Sequence, residues 1–83
     1  MKITVRYFAS IREALSTGVE TVETQAKTLS LLRDELIARP GAFADVLARG
    51  RAVRMALNQV MSDESAALSE GCEVAFFPPV TGG

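Results

Sequence analysis

The sequence predicts an α+β fold: a mixed sheet of four or five strands, with one main helix on one face and short extra helices. Three observations lead there. Segments that alternate apolar and polar residues open and close the chain, a single longer segment carries an apolar stripe at helical spacing, and no internal repeat or linker divides the 83 residues. A chain of this length is one domain, and its 48% hydrophobic content is enough to build a core.

Each element follows from its local pattern. Lys2 to Phe8 alternates, with Ile3, Val5 and Tyr7 on one side and Lys2, Thr4, Arg6 and Phe8 on the other, which describes a half-buried strand. Ser10-Ile11-Arg12-Glu13 reads as a capping box that opens a short helix ending by Gly18, with Ser10 as N-cap. Val19 to Thr24 is rich in Val and Thr and reads as a second strand paired with the first. Thr28 is the expected N-cap of the main helix. Leu29, Leu32, Leu36 and Ile37 form its apolar face, and Arg33, Asp34 and Glu35 are expected mostly elsewhere. Arg39-Pro40-Gly41 stops that helix. Phe43, Val46 and Leu47 suggest another turn or two of helix before Gly50. Ala52 to Asn58 alternates again, with Val53, Met55 and Leu57 on one side. Ser62 to Ser69 is polar and turn-like with Leu68 as its anchor, and Cys72 to Phe77 is a last strand ended by Pro78-Pro79. A β-grasp, ubiquitin-like arrangement satisfies this order, and it would set the first and last strands side by side and parallel. Residues 1–77 then form the domain, and residues 78–83 an extended, flexible tail.

Composition removes several classes of function. Nine basic and ten acidic residues leave a net charge of −1 with no basic cluster, which argues against nucleic acid binding. No apolar run has the length of a membrane span, and the start lacks the apolar block of a signal peptide, so a cytoplasmic protein is expected. Histidine is absent and Cys72 is the single cysteine, so no zinc spacing and no Ser-His-Asp or Cys-His arrangement can be written. No metal site and no stably bound cofactor are expected. The acidic residues look like solvated faces, and an independent small enzyme is poorly supported.

Two apolar residues fall on the polar side of their strands. Phe8 shares a phase with Lys2, Thr4 and Arg6, and Phe77 shares one with Glu73 and Ala75. If the first and last strands are parallel neighbours, both rings lie at the end of the outer sheet face from which the tail departs. Burying a Phe side chain is worth roughly 1.5–3 kcal/mol, so two exposed together imply a partner surface. Arg12 and Met61 are its expected neighbours. Pro78 and Pro79 stiffen the exit, and residues 78–83 would reach about 20 Å when extended at roughly 3.3 Å per residue. Val80 and Thr81 continue the arm to Gly82-Gly83, an ending slim enough to bring a carboxylate into another protein's active site.

The run Glu73-Val74-Ala75-Phe76-Phe77-Pro78-Pro79-Val80-Thr81-Gly82-Gly83 strongly resembles the C-terminus of the molybdopterin synthase small subunit, the sulfur carrier of the MoaD family. Phe8-Ala9-Ser10-Ile11-Arg12-Glu13 and Ala56-Leu57-Asn58-Gln59 resemble two further segments of that family, so the likeness spans essentially the whole chain. The resemblance implies a non-catalytic carrier subunit within a heterotetrameric synthase. An E1-like adenylating enzyme would use ATP to adenylate the carboxylate of Gly83. Sulfur from a persulfide sulfurtransferase would then leave a thiocarboxylate there, with Gly82 as the slim approach. The tail would deliver that sulfur to a cyclic pyranopterin monophosphate in the large subunit, which holds the catalytic residues. The resemblance also places hydrophobic contacts to the large subunit at Phe8, Met61 and Phe77, with Arg12 nearby and residues 78–81 entering the partner.

One departure from the family pattern is Cys72, where an acidic residue is common. It reads as a small residue at the start of a strand, against the alternative of a sulfur-relaying thiol. Two other readings share the Gly-Gly ending: a thiamine-pathway sulfur carrier, and a ubiquitin-like modifier or interaction module conjugated through Gly83.

Overall fold

The computed structural model of the protein describes residues 1–79. Along the chain run β1 (Lys2–Tyr7), α1 (Ala9–Leu15), β2 (Val19–Glu23), α2 (Leu29–Ile37), α3 (Phe43–Leu47), β3 (Arg54–Leu57), β4 (Val60–Ser62) and β5 (Glu73–Phe77). The strands form one mixed sheet in the order β2-β1-β5-β3-β4. β1 is antiparallel to β2 and parallel to β5, so the two ends of the described chain lie together at the sheet centre. This is a β-grasp fold of the α+β class, with the five strands at the upper end of the expected number.

Alternation decides which face is buried. Ile3, Val5 and Tyr7 of β1 and Val74 and Phe76 of β5 are all essentially inaccessible, and they cluster with Leu29, Leu32 and Leu36 of α2. Each buried Leu or Val side chain contributes roughly 1.5–3 kcal/mol of transfer free energy. Tyr7 stacks on Phe76 at a centroid distance of 6.2 Å and meets Phe43 edge-on at 6.2 Å. Its hydroxyl donates to Glu20 Oε2 at 2.7 Å, and Arg39 holds the same carboxylate at 3.0 Å. Burial, reinforced by that carboxylate, pushes the Tyr7 phenol far above its ordinary range, so it remains a donor throughout the accessible pH range.

α2 begins where Thr28 accepts a bond from the Leu31 amide at 3.2 Å. The amides of Leu29 and Ser30, which have no partner inside the helix, donate to the carbonyls of Ala66 and Glu64. These bonds fix the 63–68 segment against the helix start, with Leu68 buried beneath it. α2 ends at Ile37, and Gly41 takes φ +89° after Pro40, a conformation that costs a residue with a side chain more.

Two local expectations give way. α1 is capped by Phe8 with no side-chain cap bond, and Ser10 lies inside the helix. The reason is that the Phe8 amide continues the sheet by donating to Phe76 O at 3.1 Å, while its carbonyl accepts from Ile11 and Arg12. The helix therefore starts before Ser10 can cap it, and it ends at Leu15 with Ser16 as C-cap.

Arg33 is the second correction, being 4% exposed rather than solvated. Its guanidinium donates to Leu47 O at 2.7 Å and Ala48 O at 2.8 Å, the last carbonyls of α3, and to Arg51 O at 3.3 Å in the loop that follows. Glu64 lies 3.7 Å away and balances the charge.

Replacing Arg33 by Met keeps the aliphatic stem and removes the donors. Stripped of them, the α3 carbonyls should cost about 2–3 kcal/mol in a urea unfolding experiment. A loss below about 0.5 kcal/mol would mean that water replaces the guanidinium without penalty.

Candidate functional site

The outer sheet face is built by register. Residues paired across adjacent strands share a face, so the run Arg6–Ala75–Ala56–Met61 crosses β1, β5, β3 and β4 as one row. The next row toward the chain exit holds Phe77 opposite Arg54. Phe8 follows β1 directly, and its ring meets that of Phe77 edge-on, at a centroid distance of 6.4 Å and an interplanar angle of 87°. Phe8 is 45% exposed and Met61 54% exposed. Ala56 and Ala75 supply a low floor between them, so the large apolar groups stand proud at the exit.

The sequence-predicted residues thus divide into groups. Phe8 and Phe77 touch. Met61 shares their face but sits two strands from Phe77, about 10 Å to the side at ~4.8 Å per strand. Arg12 is exposed on α1 and lies across Gly18, where an added Cβ would meet its Nε at 3.2 Å. That places Arg12 on the β2 side of Phe8. Pro78 and Pro79 are half-buried and separate two grooves. One, of about 630 Å³, is lined by Val53, Arg54, Met61, Ser62 to Ser65 and Pro79. The other, of about 440 Å³, runs between α1 and α3 past Ile11, Val46, Arg51 and Pro78. Val80, Thr81, Gly82 and Gly83 lie outside the described residues.

Arg54 was missed in the sequence. The alternation that sends Val53, Met55 and Leu57 one way sends Arg54 the other, but its pairing with Phe77 depends on a strand offset that local patterns do not carry.

On the same face Arg6 Nε pairs with Glu73 Oε2 at 2.6 Å, and Gln59 also reaches Glu73. The Arg6 guanidinium holds the Glu73 carboxyl below its usual range. Cys72, next to it in sequence, is 4% exposed and packs in the core. Among the described residues, no group of three or more His, Cys, Asp or Glu side chains could hold a metal ion, and no helix is long and apolar enough to cross a membrane.

A β-grasp domain with an apolar pair at its exit belongs to the ubiquitin-like class in architecture. The chain belongs to the ThiS family, whose model matches residues 5–83. It is 38% identical to the molybdopterin synthase sulfur carrier subunit of Escherichia coli over 81 residues, 98% of this chain and 99% of the relative. Its fold matches SAMP1 from Haloferax volcanii with a TM-score of 0.79 at 24% identity, covering all of both chains. It also matches a chain in the complex of subunits 1 and 2 of the molybdopterin-converting factor from Helicobacter pylori, with a TM-score of 0.69, 27% identity and full coverage of both chains.

Two outcomes are expected from this geometry. Phe8→Asp removes a half-exposed ring and one edge contact, so the loss of stability should be about 1 kcal/mol with an unchanged circular dichroism spectrum. Cooperative unfolding lost at room temperature would instead make Phe8 a core residue.

The Arg6–Glu73 pair gives the second. Its stabilisation is complete above the unfolded carboxyl value and fades as pH falls through the lowered folded one. Glu73→Gln should therefore flatten the acid limb of the stability curve below about pH 4.5 and leave its shape near neutrality unchanged. An unaltered acid limb would contradict the pair's role.

Proposed function

We propose that this protein is the sulfur carrier subunit of molybdopterin synthase, docking on the large subunit through the Phe8–Phe77 face and presenting sulfur at Gly83. The observation that carries this reading is the contact between Phe8 and Phe77 beside Pro78-Pro79. An apolar pair beside a stiff exit is an anchor for a tail that must enter another protein. The relatives named molybdopterin synthase sulfur carrier subunit, aligned over nearly their full length, support the same reading.

In this reading the domain supplies placement and the partners supply chemistry. A free carboxylate is a poor electrophile because its charge is spread over both oxygens. An E1-like enzyme uses ATP to convert the Gly83 carboxylate into an acyl adenylate, releasing pyrophosphate and creating a good leaving group. The outer sulfur of a persulfide attacks that carbonyl carbon and expels AMP, forming an acyl disulfide. A thiol of the donor then cleaves the S–S bond, leaving the thiocarboxylate on Gly83 and a disulfide on the donor. The tail, narrow at Gly82, carries this nucleophilic sulfur into the large subunit, where a cyclic pyranopterin monophosphate receives it. Phe8, Met61 and Phe77, with Arg12 at the edge, form the docking face, and residues 78–81 form the arm. Buried Cys72 takes no part in the relay.

Intact mass spectrometry after incubation with the activating enzyme, ATP and a sulfur donor tests the chemistry. The protein should gain the mass of one oxygen exchanged for sulfur, mapped to Gly83, and Cys72→Ala should gain it equally. No gain, with the enzymes competent on another carrier, sinks the proposal. A bond to a lysine that survives thiol and denaturant would point instead to a protein modifier. Phe8→Asp and Phe77→Asp should each weaken binding to the large subunit about a hundredfold, as loss of a central aromatic anchor does. Binding that survives both changes would move the docking face elsewhere.

A further inference from the structure

We propose that Arg54 is a specificity contact of the docking face, one that selects a protein partner presenting a carboxylate beside the apolar socket that receives Phe77 and Met61. This rests on the reading that the Phe8–Phe77 face docks on the large subunit, and it names a chemical feature of that partner.

The first support is a census of the arginines. Arg6 pairs with Glu73, Arg39 with Glu20, and Arg49 with Asp34 and Glu64. Arg33 holds the end of α3, and Arg51 donates to Asp45 O at 2.8 Å. Arg12 and Arg54 have no hydrogen-bond or ionic partner among the described residues, and both border the aromatic pair.

The second support is position. Arg54 is exposed and directly opposite Phe77 in the β3–β5 register, and it lines the groove shared by Met61 and Pro79. It therefore stands at the rim of the apolar patch, beside the base of the tail.

The third support is that the acids near that groove are already engaged. Asp63 accepts from the amide and hydroxyl of Ser65, which hold its carboxyl below the usual range. Glu64 is taken by Arg49, with Arg33 at 3.7 Å. Arg6, the cation of β1 nearest the rings on this face, is neutralised by Glu73, and Lys2 lies at the opposite end of the strand. What remains is a cation on either side of two aromatic rings, on a chain whose net charge is −1. Such a pattern complements an apolar socket flanked by carboxylates, and it repels a partner with a basic rim.

The test titrates the wild-type protein, Arg54→Gln and Arg54→Glu into the cognate large subunit at low and high salt, with thermal melts of each carrier. Arg54→Glu should bind about tenfold or more weakly, with Arg54→Gln between it and wild type. The gap should narrow at high salt, and the melts should stay together because Arg54 is exposed. Changing the facing partner carboxylate to Arg should restore binding of Arg54→Glu. Affinity of Arg54→Glu within about twofold of wild type at low salt overturns the inference while leaving the docking reading in place. Wild-type protein that fails to bind the large subunit overturns both. Charging of wild type at Gly83, read by mass, reports separately on the carrier chemistry.

Discussion

The parallel pairing of β1 with β5 is the constraint on which the rest of this structure depends. It joins residues near the start of the chain to residues near its end, with Tyr7 level with Phe76. Because side chains alternate across a strand, the same register settles two layers at once. Tyr7 and Phe76 stack inside, and one residue further along Phe8 and Phe77 meet outside. A slip of one residue would turn one strand over against the other, burying one outer ring and exposing one inner ring. The Phe8–Phe77 contact at the exit is thus the outward expression of the aromatic packing beneath it, and the core's stability holds it in place.

α2 and the segments after it do a different task. Arg33 reaches from α2 to the last carbonyls of α3, while Glu64, in the segment tied to the start of α2, faces the same guanidinium. One buried cation thereby connects α2, the end of α3 and the segment around Glu64. The groove beside Arg54 and Pro79 takes one wall from the 62–65 segment. Its shape therefore depends on Glu64, which lines the groove and faces the buried Arg33 guanidinium. Polar groups at such positions fix geometry more than they add net stability.

Much of this was legible because period-2 and period-3.6 patterns report directly on burial. Strands β1, β3 and β5, the Thr28 cap, the Pro40-Gly41 stop and the Leu68 anchor all follow from local chemistry. So does the outward phase of Phe8 and Phe77, which only required supposing that their strands are neighbours. Ser10 misled because a capping box is a local preference. A sheet hydrogen bond from the Phe8 amide, which local sequence cannot reveal, set the helix start instead. Arg33 is more instructive. It stands at i+4 from Leu29 and i−3 from Leu36, inside the apolar stripe by spacing alone. Reading its charge ahead of its position sent it to solvent, and only the carbonyls waiting at the end of α3 explain why it can be buried. The pairing of Arg54 with Phe77 was illegible for a related reason: phase is local, but strand offset is a property of the assembled sheet.

The placement of the apolar and charged groups bears on how a carrier of this kind would work. A subunit that must be loaded by one protein and emptied by another cannot bind either too tightly. A small aromatic centre on a rigid sheet avoids most of the ordering cost of association, since its side chains are held by the fold before any partner arrives. Flanking charges exposed at the rim act chiefly on encounter rate and partner choice and add little to residence time. An apolar pair with Arg12 and Arg54 beside it therefore suits rapid, selective and reversible docking. A broader hydrophobic face would hold longer and discriminate less. The β-grasp sheet meets both demands with one register, because the row that sets the rings outward also places Arg54 at their side.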